Sequence, residues 1–312
     1  MPEPIRIAFI SGRSVVSAAI LRGLGRHARL HGLPWALITI ERESLVRDRP
    51  DSTGRAQAAY DGVVGFLSAP DLQAWAQSKR CPIIQYSGAP LAGERGVRIT
   101  GDDVAIGTMA ARHLVAQGYR SFACTGRWSI AVLARRCDAF IAELARLGHG
   151  CAVNDQDAAA PSPDEPPETR LVTWLRSLPR PTALFFHQDR PALYALELCA
   201  AHGLRVPQDV AILGVDDISD ACEASQPPLS SVALPWTHMG TLGGLHLQRL
   251  FSGGAGGKEL RIAPLRVVPR TSTARPLPDD ALVVRCLRQL SRDYAQAVSI
   301  AGLAARLGVD AS

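Results

Sequence analysis

The chain has 312 residues, 47% hydrophobic and 20% charged, with a formal net charge of +5. That length exceeds one ordinary core and the composition is that of a soluble folded protein, so two globular lobes with an appendage are expected. No apolar run approaches the ~18 residues that span a bilayer, and "MPEPIRIAFIS" runs straight into a strand with Glu3 and no basic leader, so a cytoplasmic protein without membrane contact is expected.

In chain order, "IRIAFI" (5–10) reads as a strand followed by a helix at 15–31, and "PWALITI" as the next strand. "DGVVGFL" (61–67) precedes a helix near 70–79, then "CPIIQY" (81–86). The pattern resumes with "SFACTG" (121–126), a helix near 129–147 and "CAV" (151–153). After the polar, Pro-rich stretch 154–168, "TALFF" (182–186) leads into a helix at 190–202 and "VAILGV" (210–215). Strand-helix alternation of this kind calls for parallel sheets covered by helices on both faces. The fold class is therefore α/β, with two doubly wound lobes. The first is expected to span about 5–118 and 219–253, and the second about 119–218 and 258–270. "SGGAGG" (252–257) is a flexible turn, and "PRTSTARPLPDD" (269–280) has linker composition, with the linker proper at 271–278. Beyond it, 279–296 and 299–308 read as two helices of a partial C-terminal appendage, 279–312. In the last of these, Ile300, Leu303, Ala304 and Leu307 are spaced to pack on one side, and Gly308 ends the helix.

Several chemistries fail on spacing. "GLGRHA" (23–28) fits G-x-G-x-x-A but lies over ten residues past the first strand, inside a helical pattern, so helix packing is the expected role of its glycines. His27 and His31 share a helix face without a Glu in the zinc-protease position or a third ligand, so no metal is expected. There is no nucleophile elbow, phosphate loop or Cys/His pair that asks for catalysis, so neither an enzyme nor a cofactor is expected. The seven cysteines lie far apart with no C-x-x-C, as suits reduced buried thiols. The isoelectric point near 9.0 tempts a nucleic-acid reading. Yet only two of the 34 cations are lysines (Lys79, Lys258), and residues 271–312 hold five arginines against four aspartates.

What stands out is a set of polar residues just after strand ends, where ligands bind in open α/β sheets. The first strand ends at Ser11-Gly12-Arg13, "IIQY" at Ser87, "LFF" at His187-Gln188-Asp189, and "ILGV" at Asp216-Asp217. Carboxylates, an arginine and a hydroxyl facing one cleft suit a neutral polyhydroxyl ligand held by bidentate hydrogen bonds. Asp102-Asp103, opening "VAIGTMAARHL", is expected to cap its helix.

"RHARLHGLPWALI", "TGDDVAIGTMAARHLVAQGYRSFACTG", "LRVPQDVAILGVDD", "PPLSSVALP" and "PLRVVPRTST" follow one another in an order that resembles the xylose-operon-regulator branch of AraC-family transcription factors. The resemblance runs from residue 5 to 312. It implies a LacI-like domain of periplasmic-binding-protein type I fold, over 1–270, joined to a C-terminal AraC-type DNA-binding domain with two helix-turn-helix motifs. By the same resemblance the effector contacts are Asp216 with Asp217 beside it, Asp189, and Arg136 in "RRCDAF"; the strand-end reading adds Arg13 and Ser87. Val16 and Ala18 stand where that family carries an aromatic residue and an arginine. Residues 279–312 correspond to the start of the DNA-binding domain. Ser299, Leu303, Leu307 and Asp310 fall in its first motif; the recognition helix would begin after Asp310, so the domain is expected to be truncated in this chain. The implied function is a regulator of sugar metabolism. Its partners would be a small sugar (a pentose or related aldose), a second copy of the chain in a homodimer, and DNA only through the complete C-terminal domain. The alternative is a stand-alone sugar-binding protein of transport type, against which the missing export signal and the 279–312 appendage count.

Overall fold

A computed structural model of the chain describes residues 3–11, 15–41, 60–67, 70–86, 96–125, 131–154, 167–274, 281–293 and 298–309. The chain divides into two compact units, Met1–Thr273 and Ala274–Ser312.

The first unit holds two six-stranded sheets. One is built from β1 (Ile5–Ser11), β2 (Trp35–Glu41), β3 (Gly62–Gly65), β4 (Ile83–Gln85), β5 (Gly96–Gly101) and β11 (Lys258–Ile262), in the order β11-β5-β4-β3-β1-β2, all parallel. The other is built from β6 (Ser121–Thr125), β7 (Ala152–Asn154), β8 (Thr182–Phe185), β9 (Val210–Asp216), β10 (Ser230–Ala233) and β12 (Arg266–Val268), in the order β12-β10-β9-β8-β6-β7. Only β12 runs antiparallel there. β9 is buried along its whole length, as a strand covered on both faces must be.

Helices α1 (Val15–Leu30) and α8 (Trp236–Phe251) lie together on the first sheet. Their backbones nearly touch: a Cβ on Gly23 would stand 2.1 Å from the Thr237 carbonyl oxygen, and one on Gly240 2.2 Å from that of Ile20. Gly23, the first glycine of the dinucleotide-like string, is thus a helix-packing residue. Helix α2 (Pro70–Ser78) buries Leu72 and Ala76 on the sheet's opposite face. In the second lobe α3 (Asp103–Ala116) and α4 (Ala131–Arg146) pack on one face, around Phe140, Phe185 and Leu213. Helices α5 (Pro167–Ser177) and α6 (Asp189–Ala201), with α7 (Ser219–Ala224), cover the other, around Leu196, Ile212 and Cys222.

The architecture is the expected α/β pair of doubly wound lobes, but the division of the chain between them differs. Strand β11 was expected in the second lobe; it extends the first sheet by pairing with β5. Strand β10 and helix α7 were expected in the first lobe; β10 pairs β9, and Cys222 of α7 joins the second core. Helix α3 likewise belongs to the second lobe, where it meets α4. The chain passes between sheets after β5, after β10 and after β11, and strand propensity does not encode which sheet a strand joins. The expected linker 271–278 also begins too early. Thr271–Thr273 is a 3-10 turn whose Ser272 and Thr273 are buried against β10, while 275–280 lie outside the described residues.

In the second unit, α9 (Ala281–Asp293) and α10 (Ile300–Leu307) form a helical pair. Ser299 caps α10 by accepting from the Gly302 amide at 3.0 Å, and Gly308 closes it in the left-handed conformation at φ 70°. Arg285 donates from Nη2 to the Leu307 carbonyl at 2.9 Å and secures the far end of α10. Of the expected packing face, Ala304 and Leu307 are buried, but Ile300 is 80% exposed. Asp310 lies outside the described residues.

Candidate functional site

Three parallel strands of the second sheet, β6, β8 and β9, end side by side, and the carboxyl ends of β8 and β9 carry Asp189, Asp216 and Asp217, singled out in the sequence. At the end of β9, Asp216 is buried with no hydrogen-bond donor to its carboxylate among the described residues. Burial pushes its pKa up to about 8; the Arg136 charge pulls down against that, and neighbouring Asp189 adds to it. At 9% exposure and with no donor among the described residues, this carboxylate is open to a hydrogen bond from a ligand.

Arg136 comes from α4, which lies close to α3 because residue 107 is glycine: a Cβ there would stand 2.3 Å from the Arg136 carbonyl oxygen. The guanidinium is buried and pre-aimed. Nε donates to Asp103 Oδ1 at 2.8 Å and Nη1 to the His187 carbonyl at 2.7 Å. Asp102 and Asp103 therefore divide the work. Asp102 is the helix cap, accepting from the Val104 and Ala105 amides at 3.1 Å each. Asp103, expected to cap as well, is instead the ionic partner of Arg136, with Arg135 at 3.5 Å on its other oxygen. His187 accepts from Arg136 through its carbonyl, and burial followed by the Arg136 charge lowers the pKa of its ring to about 4, so the ring is neutral at physiological pH.

Asp189 opens α6 and is fully enclosed. Its Oδ1 accepts from Ser231 Oγ at 2.6 Å, and its Oδ2 from the Ile218 amide at 2.8 Å and the Cys222 thiol at 3.4 Å. Burial pushes its pKa up to about 6 while these donors draw it down. Gly214 makes the seat possible, since a Cβ there would lie 2.2 Å from Asp189 Oδ1. Asp189 thus belongs to the group as a brace beneath the turn after β9. Asp217 likewise turns to a protein partner: its Oδ1 accepts from Arg270 Nη2 at 2.9 Å. Arg13 and Ser87, expected on the first lobe's side, lie outside the described residues.

Two groups were missed in the sequence. Thr125, at the end of β6, has a buried hydroxyl without a partner among the described residues. Trp236 opens α8, packs against both lobes' cores, and meets Phe66 edge-on at 6.0 Å. Its indole N–H is also buried without a partner among the described residues. Phe66 follows β3 and stacks obliquely on Tyr86 at 5.9 Å, which gives the first lobe an aromatic wall. A Trp directly behind a strand end, in "LSSVALPW", was the available signal. Carboxylate, guanidinium, hydroxyl and indole N–H beside aromatic faces can bind a polar ligand with apolar ring faces. Among the described residues no group of three or more His, Cys, Asp or Glu is placed to hold a metal, and no helix is long and apolar enough to cross a membrane.

The chain is 24% identical over 298 residues to the xylose operon regulatory protein of Haemophilus influenzae, covering 90% of this chain and 73% of that one. It is 31% identical over 171 residues to the HTH-type transcriptional repressor CytR of Escherichia coli, covering 54% and 49%. Among solved structures it superposes on the xylose-binding transcription activator xylR with a TM-score of 0.72 at 20% identity, covering 99% of this chain and 80% of that one. On the transcriptional regulator CelR in complex with cellobiose it gives 0.66 at 22%, covering 87% and 86%. A periplasmic binding protein-like domain model matches residues 111–273, just over half of the chain, from within α3 to the last residue of the first unit. The chain belongs to that periplasmic binding protein-like family.

Proposed function

We propose that this chain is the effector-sensing part of a sugar-responsive transcription regulator, and that a small sugar binds between its lobes. The observation that carries the reading is the buried, donor-free Asp216 carboxylate beside the pre-aimed Arg136. A sugar hydroxyl would donate to Asp216 and accept from Arg136, and the Trp236–Phe66 wall would take an apolar face of the ring. Closure of the lobes on the ligand shifts a population of open and closed states, and the chain carries that shift onward into the second unit. On this reading α9 and α10 begin an AraC-type DNA-binding domain, and the protein acts as a cytoplasmic homodimer without catalytic chemistry. The named regulators among its relatives support this over a stand-alone transport-type binding protein.

The test is a thermal-shift screen with D-xylose, L-arabinose, D-ribose and cellobiose. A ligand at ~100 times its dissociation constant adds about 2.7 kcal/mol of stability, a rise of several degrees. If none of these sugars raises the melting temperature, the reading fails.

A further inference from the structure

We propose that Arg270 is a positioning residue for Asp216: it clamps Asp217, holds the strained turn that aims the Asp216 carboxylate, and ties that turn to the segment leading into the second unit. Its ligand-binding arm rests on the effector reading above; its structural arm does not.

The turn needs holding. Asp216 has φ 114° and Asp217 φ 53°. Aspartate tolerates the left-handed region that Asp217 occupies, but φ near 114° is a conformation that residues with a Cβ enter only when their surroundings over-determine it. Three successive contacts do so. The Asp217 amide donates to Ser231 Oγ at 3.0 Å, the Asp217 carboxylate accepts from Arg270, and the Ile218 amide donates to Asp189 Oδ2. Ser231 and Asp189 are themselves joined, so two of the three contacts belong to a single buried assembly beneath the turn. Arg270 is the third, arriving from a different part of the chain.

Arg270 is built into its place. Its side chain is 10% exposed, and while Nη2 holds Asp217, Nη1 donates to the Leu229 carbonyl at 2.8 Å. Its amide donates to Ser230 Oγ at 2.8 Å, and its carbonyl accepts from that hydroxyl at 3.0 Å. A lysine, with one point of charge, cannot serve carbonyl and carboxylate through a fixed fork. The residues that follow are woven onto the same strands. Ser272 Oγ donates to the Ile212 carbonyl and accepts from the Ser230 amide, and Thr273 Oγ1 bonds Ser230 Oγ at 2.7 Å and His113 Nε2 at 3.1 Å. The second unit starts at the next residue, Ala274. One residue thus joins the turn that presents Asp216 to the closing residues of the first unit.

The experiment uses the full chain and the substitutions Arg270→Gln, Arg270→Lys and Asp217→Asn. In the absence of ligand, amide hydrogen exchange is read at Asp217 and Ile218, with Ile212 and Leu213 of β9 as the control for the fold. The expected result is exchange at least tenfold faster at Asp217 and Ile218 in Arg270→Gln, with the β9 amides unchanged, Arg270→Lys intermediate, and the double variant with Asp217→Asn no faster than either single one. Wild-type exchange at Asp217 and Ile218, or additive effects in the double variant, overturns the proposal. Should Arg270→Gln fail to fold, Arg270→Lys decides on the same two amides. In the second arm, the sugar that stabilises the wild type should bind Arg270→Gln at least tenfold more weakly, although the Nη2, Nη1 and amide donors of Arg270 are spent on Asp217, Leu229 and Ser230. If none of the sugars stabilises the wild type, the effector reading falls while the exchange result still decides the role of Arg270.

Discussion

Asp216 carries an ordinary carboxylic acid to a place where ionisation is disfavoured. Its folded pKa near 8 stands well above the unfolded value of about 3.9, so folding favours the protonated form. The stability this contributes is fully present below about pH 4 and is lost as pH rises towards 8; the raised Asp189 acts in the same direction up to about pH 6. Glu143 and Asp209, held near 2 by their arginine partners, contribute oppositely, but only below about pH 4. Asp216→Asn should therefore raise ligand-free stability at pH 8 by on the order of 1 kcal/mol or more, flatten the melting profile between pH 5 and 8, and abolish the sugar response. Scanning calorimetry across that range checks it, and an unchanged pH profile would mean the carboxylate is already ionised at neutral pH. Gly214→Ala should have the opposite sign. Its Cβ must displace Asp189, which breaks the brace beneath the turn, so a loss of about 1–3 kcal/mol and a weaker sugar response are expected by chemical denaturation and calorimetric titration.

At the scale of elements, the lobes are assembled by close helix pairs that glycine permits. Gly23→Ala would drive a methyl group into the Thr237 carbonyl of α8, with no flexible side chain to yield. We expect it to destabilise the first unit by roughly 1–3 kcal/mol or more, without changing a group that faces the ligand. A variant that melts with the wild type would show that α1 and α8 are not in contact there. In the second unit α10 is held by its ends. Ser299→Ala removes the cap to Gly302 and should cost about 1 kcal/mol of that unit's stability, seen as faster amide exchange within α10.

At the scale of the whole molecule, two sheets are joined by three passages of chain, and on the proposed reading the lobes close about those passages. Binding between lobes should compact the protein. Small-angle scattering with saturating sugar is expected to show a smaller radius of gyration for the wild type and none for Asp216→Asn. An identical curve with bound ligand would exclude closure.

The strand-helix alternation was written plainly in runs such as "IRIAFI" and "VAILGV", because buried parallel strands must be apolar on both faces. The carboxyl-end placement of Asp189 and Asp216 was legible too, since it follows from where strands stop. What the sequence by itself determined was the class of fold, the two doubly wound lobes, and the strand ends on which the candidate site is built. Only the tertiary structure decided which sheet received β10 and β11, that Asp189 faces inward as a brace, and that Arg136 is aimed by Asp103. It alone placed Trp236 between two cores and Arg270 beneath Asp217. The reason is separation along the chain: periodicity and turn chemistry are set by neighbours a few residues apart, whereas Arg270 and Asp217 meet across 53 residues and His113 and Thr273 across 160. Such partners are chosen by how packed layers bring distant backbone together, which no local pattern encodes.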